Sequence, residues 1–162
     1  MWFDQMAVCR ALAKLTVAGQ STANRTIAAT TWVAPWLANS PTLDNVDGFV
    51  AGDPLTPSEH SYTFEHDGEY TVLGRVRLTA LNSGKVVIAR LYDPTGAAEI
   101  VQGDPITYNG VGNIGASIVA MQRQFSAGDT IRLEAYHNDS VSRTLDDDEC
   151  RLEVYQVPNE RS

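Results

Sequence analysis

One stretch of the chain decides the fold, residues 64–78, which read FEHDGEYTVLGRVRL. From Tyr70 onward, apolar and polar residues alternate strictly, which is the pattern of a half-buried strand. The face that we predict to point inward consists of Tyr70, Val72, Gly74, Val76, Leu78 and Ala80. The opposite face consists of Thr71, Leu73, Arg75, Arg77 and Thr79. The Asp67-Gly68 pair, which lies between two such runs, predicts a tight hairpin turn.

The composition favours one folded domain and argues against two classes of partner. The chain has 162 residues, of which 43% are hydrophobic, and its formal net charge is -8 from 12 basic and 20 acidic residues. This length suffices for a single domain with a full core. Because the chain is acidic and has no cluster of lysines and arginines, we expect it to bind neither nucleic acid nor anionic membrane surfaces.

The hydrophobic residues are too scattered to predict a membrane span or a secretion signal. No apolar run approaches the roughly 20 residues that cross a bilayer. The segment that begins with Met1-Trp2-Phe3 lacks the basic start of a secretory signal. We therefore expect synthesis in a cytoplasm without export, which still allows a final location on the outside of a particle assembled there.

From Arg25 onward, turn residues divide the chain into short alternating runs, which predicts an all-β sandwich or barrel. The first run extends from Thr26 to Val33. The other predicted strands are His60–Glu65, Glu69–Asn82, Lys85–Tyr92, Asn113–Phe125, Thr130–His137 and Cys150–Val157. Glycine, asparagine, aspartate and serine separate most of these runs, as is typical of turns.

The start of the chain differs from the rest, and we divide the sequence into an arm (1–24) and a β domain (25–162). Residues 2–15 are rich in helix formers with apolar side chains at helical spacing, which predicts a short amphipathic helix. Residues 1–31 contain Asp4 as their only acidic residue beside three basic ones. This balance favours an attachment segment that lies on a partner of different charge. Its predicted contact residues are Trp2, Phe3, Met6, Arg10 and Leu12. The alternative is a helix that packs on its own domain.

Several stretches of the sequence resemble the C1q/TNF-like jelly rolls, and the resemblance covers about Thr26 to Val157. Residues 64–72 match the Phe-x-x-x-Gly-x-Tyr-x-Val step into a long strand, and residues 125–133 are similar to the penultimate turn of the family. Residues 150–157 are similar to the closing strand, which runs up the middle of a sheet, and residues 32–34 to the first strand.

The resemblance implies a jelly-roll β-sandwich that forms a homotrimer and builds or decorates surfaces without catalysing a reaction. Similar jelly rolls occur on phage heads and tails as cement, knob or fibre proteins. The residues expected in the core or the trimer contact are Phe64, Tyr70, Val72, Val76, Leu133 and Tyr155. Segments that are apolar on both faces, such as 86–88 and 118–121, agree with self-association because each must be covered twice.

The sequence contains no motif that predicts catalysis or a cofactor. A phosphate-binding loop, a nucleophile elbow and a zinc-protease motif are all absent from it. His60, His66 and His137 do not have a metal-ligand spacing. The acidic run at residues 146–149 is expected to be a solvated loop, with a calcium site as the alternative. Cys9 and Cys150 are expected to be two free thiols.

These observations predict a non-enzymatic structural protein of a phage virion, a homotrimeric capsid decoration, cement or head-fibre component. Its N-terminal segment would grip the major capsid protein or another virion protein. The alternative is the receptor-binding or carbohydrate-binding head of a tail fibre or adhesin. In that case a glycan would stack on some of the aromatic side chains of Trp32, Trp36, Tyr62, Tyr92, Tyr108, Tyr136 and Tyr155.

Overall fold

The computed structural model describes residues 11–16, 26–34, 42–44, 61–109, 113–145 and 150–157. The described residues form strands and turns, and they include no helix of the length and hydrophobicity needed to cross a membrane. In chain order the strands are β1 (Ala11–Thr16), β2 (Thr26–Ile27), β3 (Thr42–Asp44), β4 (Ser61–Thr63), β5 (Gly68–Leu81), β6 (Lys85–Asp93), β7 (Ala98–Gln102), β8 (Ile106–Tyr108), β9 (Asn113–Phe125), β10 (Thr130–His137), β11 (Arg143–Thr144) and β12 (Arg151–Gln156).

The strands form two antiparallel sheets that enclose one core. The five-stranded sheet has the order β3-β1-β12-β5-β9, and the other has the order β4-β10-β6-β7, with β8 also paired to β6. A small pair, β11-β2, lies outside both sheets. The closing strand β12 lies between β1 and β5, which is the central position that the resemblance implies.

The inward face predicted for β5 is confirmed over most of its length. Tyr70, Val72, Val76 and Leu78 are all at most 1% exposed, whereas their neighbours on the other face are half-buried. Gly74 belongs to the inward face for a steric reason, because a Cβ atom there would lie 2.6 Å from a methyl carbon of Leu133. The core therefore follows directly from the alternation of the sequence.

Two local predictions about this strand are wrong. Ala80 is exposed rather than buried, because its φ of 56° and a β-bulge between Leu78 and Leu81 shift the alternation by one residue. The Asp67-Gly68 pair does not form a hairpin, because β4 pairs with β10 in one sheet and β5 lies in the other. The primed turn of a tight hairpin needs positive φ angles, and neither Asp67 nor Gly68 has one.

The predicted N-terminal helix is not confirmed. Residues 11–16 form the strand β1, which pairs with β12 on one side and with β3 on the other. Residues 1–10 lie outside the described part of the chain. The division into an arm (1–24) and a β domain (25–162) stays a prediction.

The sandwich has two distinct ends. We call the first the near end, because the described chain both enters and leaves there: Ala11 pairs with Tyr155, and the amide of Val157 donates to the carbonyl of Glu69. The near end also contains the turns at residues 64–68, 93–97 and 126–129. We call the opposite end the far end. It contains the turn at 82–84, Asn109 and the loop at 138–142.

Candidate interaction surfaces

The outward side of the five-stranded sheet, which we call the five-strand face, carries an exposed apolar centre. Ile118 on β9 is 63% exposed, more than any other large hydrophobic side chain among the described residues. Half-buried Leu73 on β5 lies beside it, and together they line a shallow cavity of about 190 Å³. The cavity is completed by Gly74, Arg75, Arg151 and Glu153. An apolar centre with a charged rim is the usual composition of a protein interface.

The rim of this cavity combines positive charges with one carboxylate. Arg75 and Arg151 lie opposite each other on β5 and β12, and the Nε atom of Arg151 lies 3.5 Å from the carboxylate of Glu153. The hydroxyl of Tyr155 donates to the same carboxylate at 2.8 Å. Burial raises the pKa of Tyr155, and the bond to Glu153 raises it further. The group therefore stays protonated near neutral pH and acts as a hydrogen-bond donor.

On the other side of the sandwich, a short segment lies along the edge of the four-stranded sheet. We call residues 30–34 the strap. The amides of Thr30 and Val33 donate to the carbonyls of His137 and Ala135, and the amide of Ala135 donates back to Val33. These bonds continue the ladder of β10 beyond the point where β4 ends. The strap therefore acts as an additional edge strand.

The side chain of Trp32 fixes the strap to the outward surface of the sheet. The guanidinium of Arg90 lies 4.1 Å from the centre of the Trp32 ring, and the ring of Tyr136 lies 5.2 Å from it. Beneath them Glu134, only 3% exposed, is ion-paired to both Arg90 and Arg132. The cluster encloses a shared carboxylate, each oxygen atom of which faces a guanidinium group.

A second buried carboxylate organises the far end. Asp139 is 1% exposed, and it accepts hydrogen bonds from the amide and side chain of Asn82, from the amide of Ser140 and from Nε of Arg143. Burial raises the pKa of the Asp139 carboxyl, but the bonds from Arg143, Asn82 and Ser140 outweigh burial and hold the pKa far below its usual range. The carboxylate therefore stays ionised near neutral pH and joins Asn82 to Ser140 and Arg143.

The residues predicted for the core or the trimer contact lie in two different places in the structure. Phe64, Tyr70, Val72, Val76 and Leu133 all lie in the core, and none is more than 1% exposed. Tyr155 instead lies half-buried on the five-strand face, because β12 points Leu152 and Val154 inward. A role of any of these residues in a trimer stays a prediction.

The predicted attachment residues fall almost entirely outside the described chain. Trp2, Phe3, Met6 and Arg10 precede the first described residue. Leu12 lies in β1.

The aromatic residues proposed for sugar stacking are divided between different parts of the fold, and Trp36 lies outside the described residues. Tyr62 is buried, and the hydroxyl of Tyr108 accepts a bond from the amide of Ala116 at 2.7 Å. Trp32 contacts Arg90, and the ring of Tyr92 has the guanidinium of Arg90 4.7 Å from its centre. The rings of Trp32 and Tyr92 therefore both already contact a guanidinium group.

The candidate metal ligands are also dispersed. His66 is exposed at the near end, whereas His137 is buried with its Nε2 atom 3.1 Å from the carbonyl oxygen of Ile27. Among the described residues, no three histidine, cysteine, aspartate or glutamate side chains are placed to hold a metal ion. His60 and the acidic run at 146–149 lie outside that part of the chain.

Of the two cysteines, Cys150 is buried. Its Sγ atom accepts a hydrogen bond from the amide of Arg77 at 3.3 Å. Cys9 lies outside the described residues.

Sequence reasoning missed the two buried carboxylates, Glu134 and Asp139. By the alternation of β10, Glu134 belongs to the outward face, where a charged side chain is ordinary. Its burial depends on Arg90 opposite it in β6 and on Trp32 from the strap, and both partners are more than 40 residues away in the chain. The Asn-Asp-Ser run around Asp139 signalled a turn, but not its contact with Asn82.

Comparisons with known proteins define the fold. No protein family model matches the sequence, and no curated protein matches it. Among solved structures, the Eiger TNF of S. frugiperda is similar over 93% of this chain and 94% of its own, with a TM-score of 0.57 and 10% identity. Murine APRIL is similar over 89% of this chain and 96% of its own, with a TM-score of 0.56 and 9% identity. The chain therefore has the TNF-like jelly-roll fold.

Proposed function

We propose that this protein is a non-enzymatic structural component of a phage virion. It assembles as a homotrimer through the five-strand face and attaches to the capsid or another virion protein through its N-terminal segment. The observation that carries the proposal is the exposure of Ile118, 63%, on the five-strand face. The TNF-like jelly-roll fold supports a role in assembly rather than in catalysis.

Self-association is supported by the chemistry of the five-strand face. Ile118 and Leu73 provide an apolar centre, and burying one such side chain stabilises an interface by about 1.5–3 kcal/mol. In a threefold ring each contact is heterologous, so that the apolar centre of one copy packs against a different part of the next copy, and the same contact repeats three times.

Attachment is supported by the position of the near end. Residues 1–10 contain three of the large apolar residues, Trp2, Phe3 and Met6, and they precede Ala11 at this end of the sandwich. A partner bound through them would lie at the near end, and the far end would point away from the particle.

The first test of this function is the mass of the protein in solution. Light scattering at micromolar concentration should give a trimer for the wild type and a folded monomer for Ile118→Glu. Ile106→Glu is the matched control, because Ile106 is 39% exposed but lies on the four-stranded sheet. A monomeric wild type would contradict the trimer, and an unaffected Ile118→Glu variant would exclude this face.

The second test is the particle itself. We expect the protein to co-purify with capsids in a fixed stoichiometric ratio. Its absence from purified particles would contradict the virion role without affecting the trimer.

A further inference from the structure

The side chains of the far end differ in charge from those of the near end. The near end contains Glu65, Asp67, Glu69, Asp93 and Asp129. In the turn at 82–84, at Asn109 and in the loop at 138–142, the one charged residue is Asp139, which is buried, and the flanking Lys85 and Arg143 are half-buried. The exposed residues of the far end are Asn82, Ser83, Gly84, Asn109, Asn138, Ser140, Val141 and Ser142.

The loops of the far end are held rigidly to one another. The buried carboxylate of Asp139 joins the turn at 82–84 to the loop at 138–142, through bonds of 2.7–3.0 Å from Asn82, Ser140 and Arg143. A bond from the amide of Gly84 to the carbonyl of Tyr108 fixes the third segment, next to Asn109. Loops that are fixed in this way lose little conformational entropy when they bind a ligand.

The exposed groups suit an uncharged ligand rich in hydroxyl groups. Amide side chains and serine hydroxyls both donate and accept hydrogen bonds, as sugar hydroxyls do. Val141, 51% exposed among them, offers an apolar contact for the C–H face of a sugar ring. The exposed side chains of these loops are uncharged, and Arg143 beside them is already paired with Asp139, which favours a neutral ligand over an anionic one.

We propose that the far end is a binding site for a neutral polysaccharide. The outward orientation of this site rests on the proposed function, since the far end points away from the particle only if the N-terminal segment attaches at the near end. Binding itself depends only on the far-end loops, and it should persist in the isolated protein.

The test uses the full-length protein on an array of neutral and anionic oligosaccharides. The wild type should bind uncharged hexose and N-acetylhexosamine chains. Ser83→Arg/Ser142→Arg should weaken this binding at least tenfold, and Val141→Asp should weaken it as well. Ser126→Arg is the matched control, because Ser126 is an exposed serine in a near-end turn. All four proteins should show the same circular dichroism spectrum, since the substituted side chains are exposed.

Several results would overturn the proposal. They are no binding by the wild type, binding of anionic glycans only, or unchanged binding by the two far-end variants. Co-sedimentation with particles is measured separately. A protein that binds neutral glycans but does not decorate particles would refute the proposed function and leave the far-end site intact, and the reverse result would refute only the site.

Discussion

Val72 and Thr71 are neighbours in β5, yet they face opposite environments. Val72 is fully buried, and Thr71 is half-buried on the five-strand face. Val72→Asp should abolish folding, because an unpaired carboxylate would be buried at a cost of several kcal/mol. Thr71→Asp should keep a cooperative thermal transition in circular dichroism. Equal loss of structure in both variants would show that the two residues do not lie on opposite faces.

Asp139 should make the stability of the protein sensitive to acid. Its pKa is depressed in the folded state, so it stabilises the fold above the unfolded-state pKa of about 3.9, and this contribution is lost as the pH falls below that value. Asp139→Asn should lower the free energy of unfolding at pH 7 by on the order of 3 kcal/mol, because Arg143 loses a buried partner.

Urea denaturation at pH 7 and pH 3 provides the measurement for this prediction. The difference in stability between wild type and Asp139→Asn should shrink at pH 3. A difference that is independent of pH would show that the ionised carboxylate is not the source of the stability.

The burial of a single residue could be predicted where the backbone geometry alone decides to which face of the strand its side chain points. The period of a strand is fixed by its geometry, so the burial of Tyr70 to Leu78 could be predicted from local sequence. Ala80 could not be predicted, because nothing in its sequence signals the bulge that reverses its face. Glu134 was missed for a different reason, since its burial depends on side chains that other segments bring to it.

Strand pairing, and not local helix propensity, decides the secondary structure of residues 11–16. Residues 11–16 are good helix formers but lie between β12 and β3, where the backbone ladder is satisfied on both sides. Helix propensities differ by only tenths of a kcal/mol per residue and yield to such contacts. Strands β7 and β8 were missed because Gly103 and Pro105 interrupt them, and together they form one broken edge beside β6.

The strap provides a prediction about an element. Trp32→Ala should lower the free energy of unfolding by about 2 kcal/mol, because it removes the contacts of the ring with Arg90 and Tyr136. Hydrogen exchange at the amides of Thr30 and Val33 should accelerate, since their bonds to β10 would open locally. Trp32→Phe retains an aromatic ring and is the control, with a smaller effect. Unchanged exchange at both amides in Trp32→Ala would show that the backbone ladder alone holds the strap.

For the whole molecule, the sandwich was predictable but its surfaces were not. Many short alternating runs separated by turn residues are sufficient to indicate two packed sheets. The order of strands within each sheet depends on pairings between distant segments, such as β5 with β12. The exposure of Ile118 and the contrast between the near and far ends follow from that order. They could therefore be recognised only in the folded chain.

Removal of residues 2–10 tests the attachment role on the whole protein. The truncated protein should fold and trimerise, because β1 begins at Ala11 and keeps its pairing with β12. It should no longer bind particles, since the apolar anchors Trp2, Phe3 and Met6 are gone. In the full-length chain, Trp2→Ala/Phe3→Ala should weaken binding roughly thirtyfold, equivalent to about 2 kcal/mol. Removal of residues 2–16 is the contrasting variant and should destabilise the fold, because it deletes β1 between β3 and β12. Full decoration of particles by the protein that lacks residues 2–10 would place the attachment surface in the β sandwich instead.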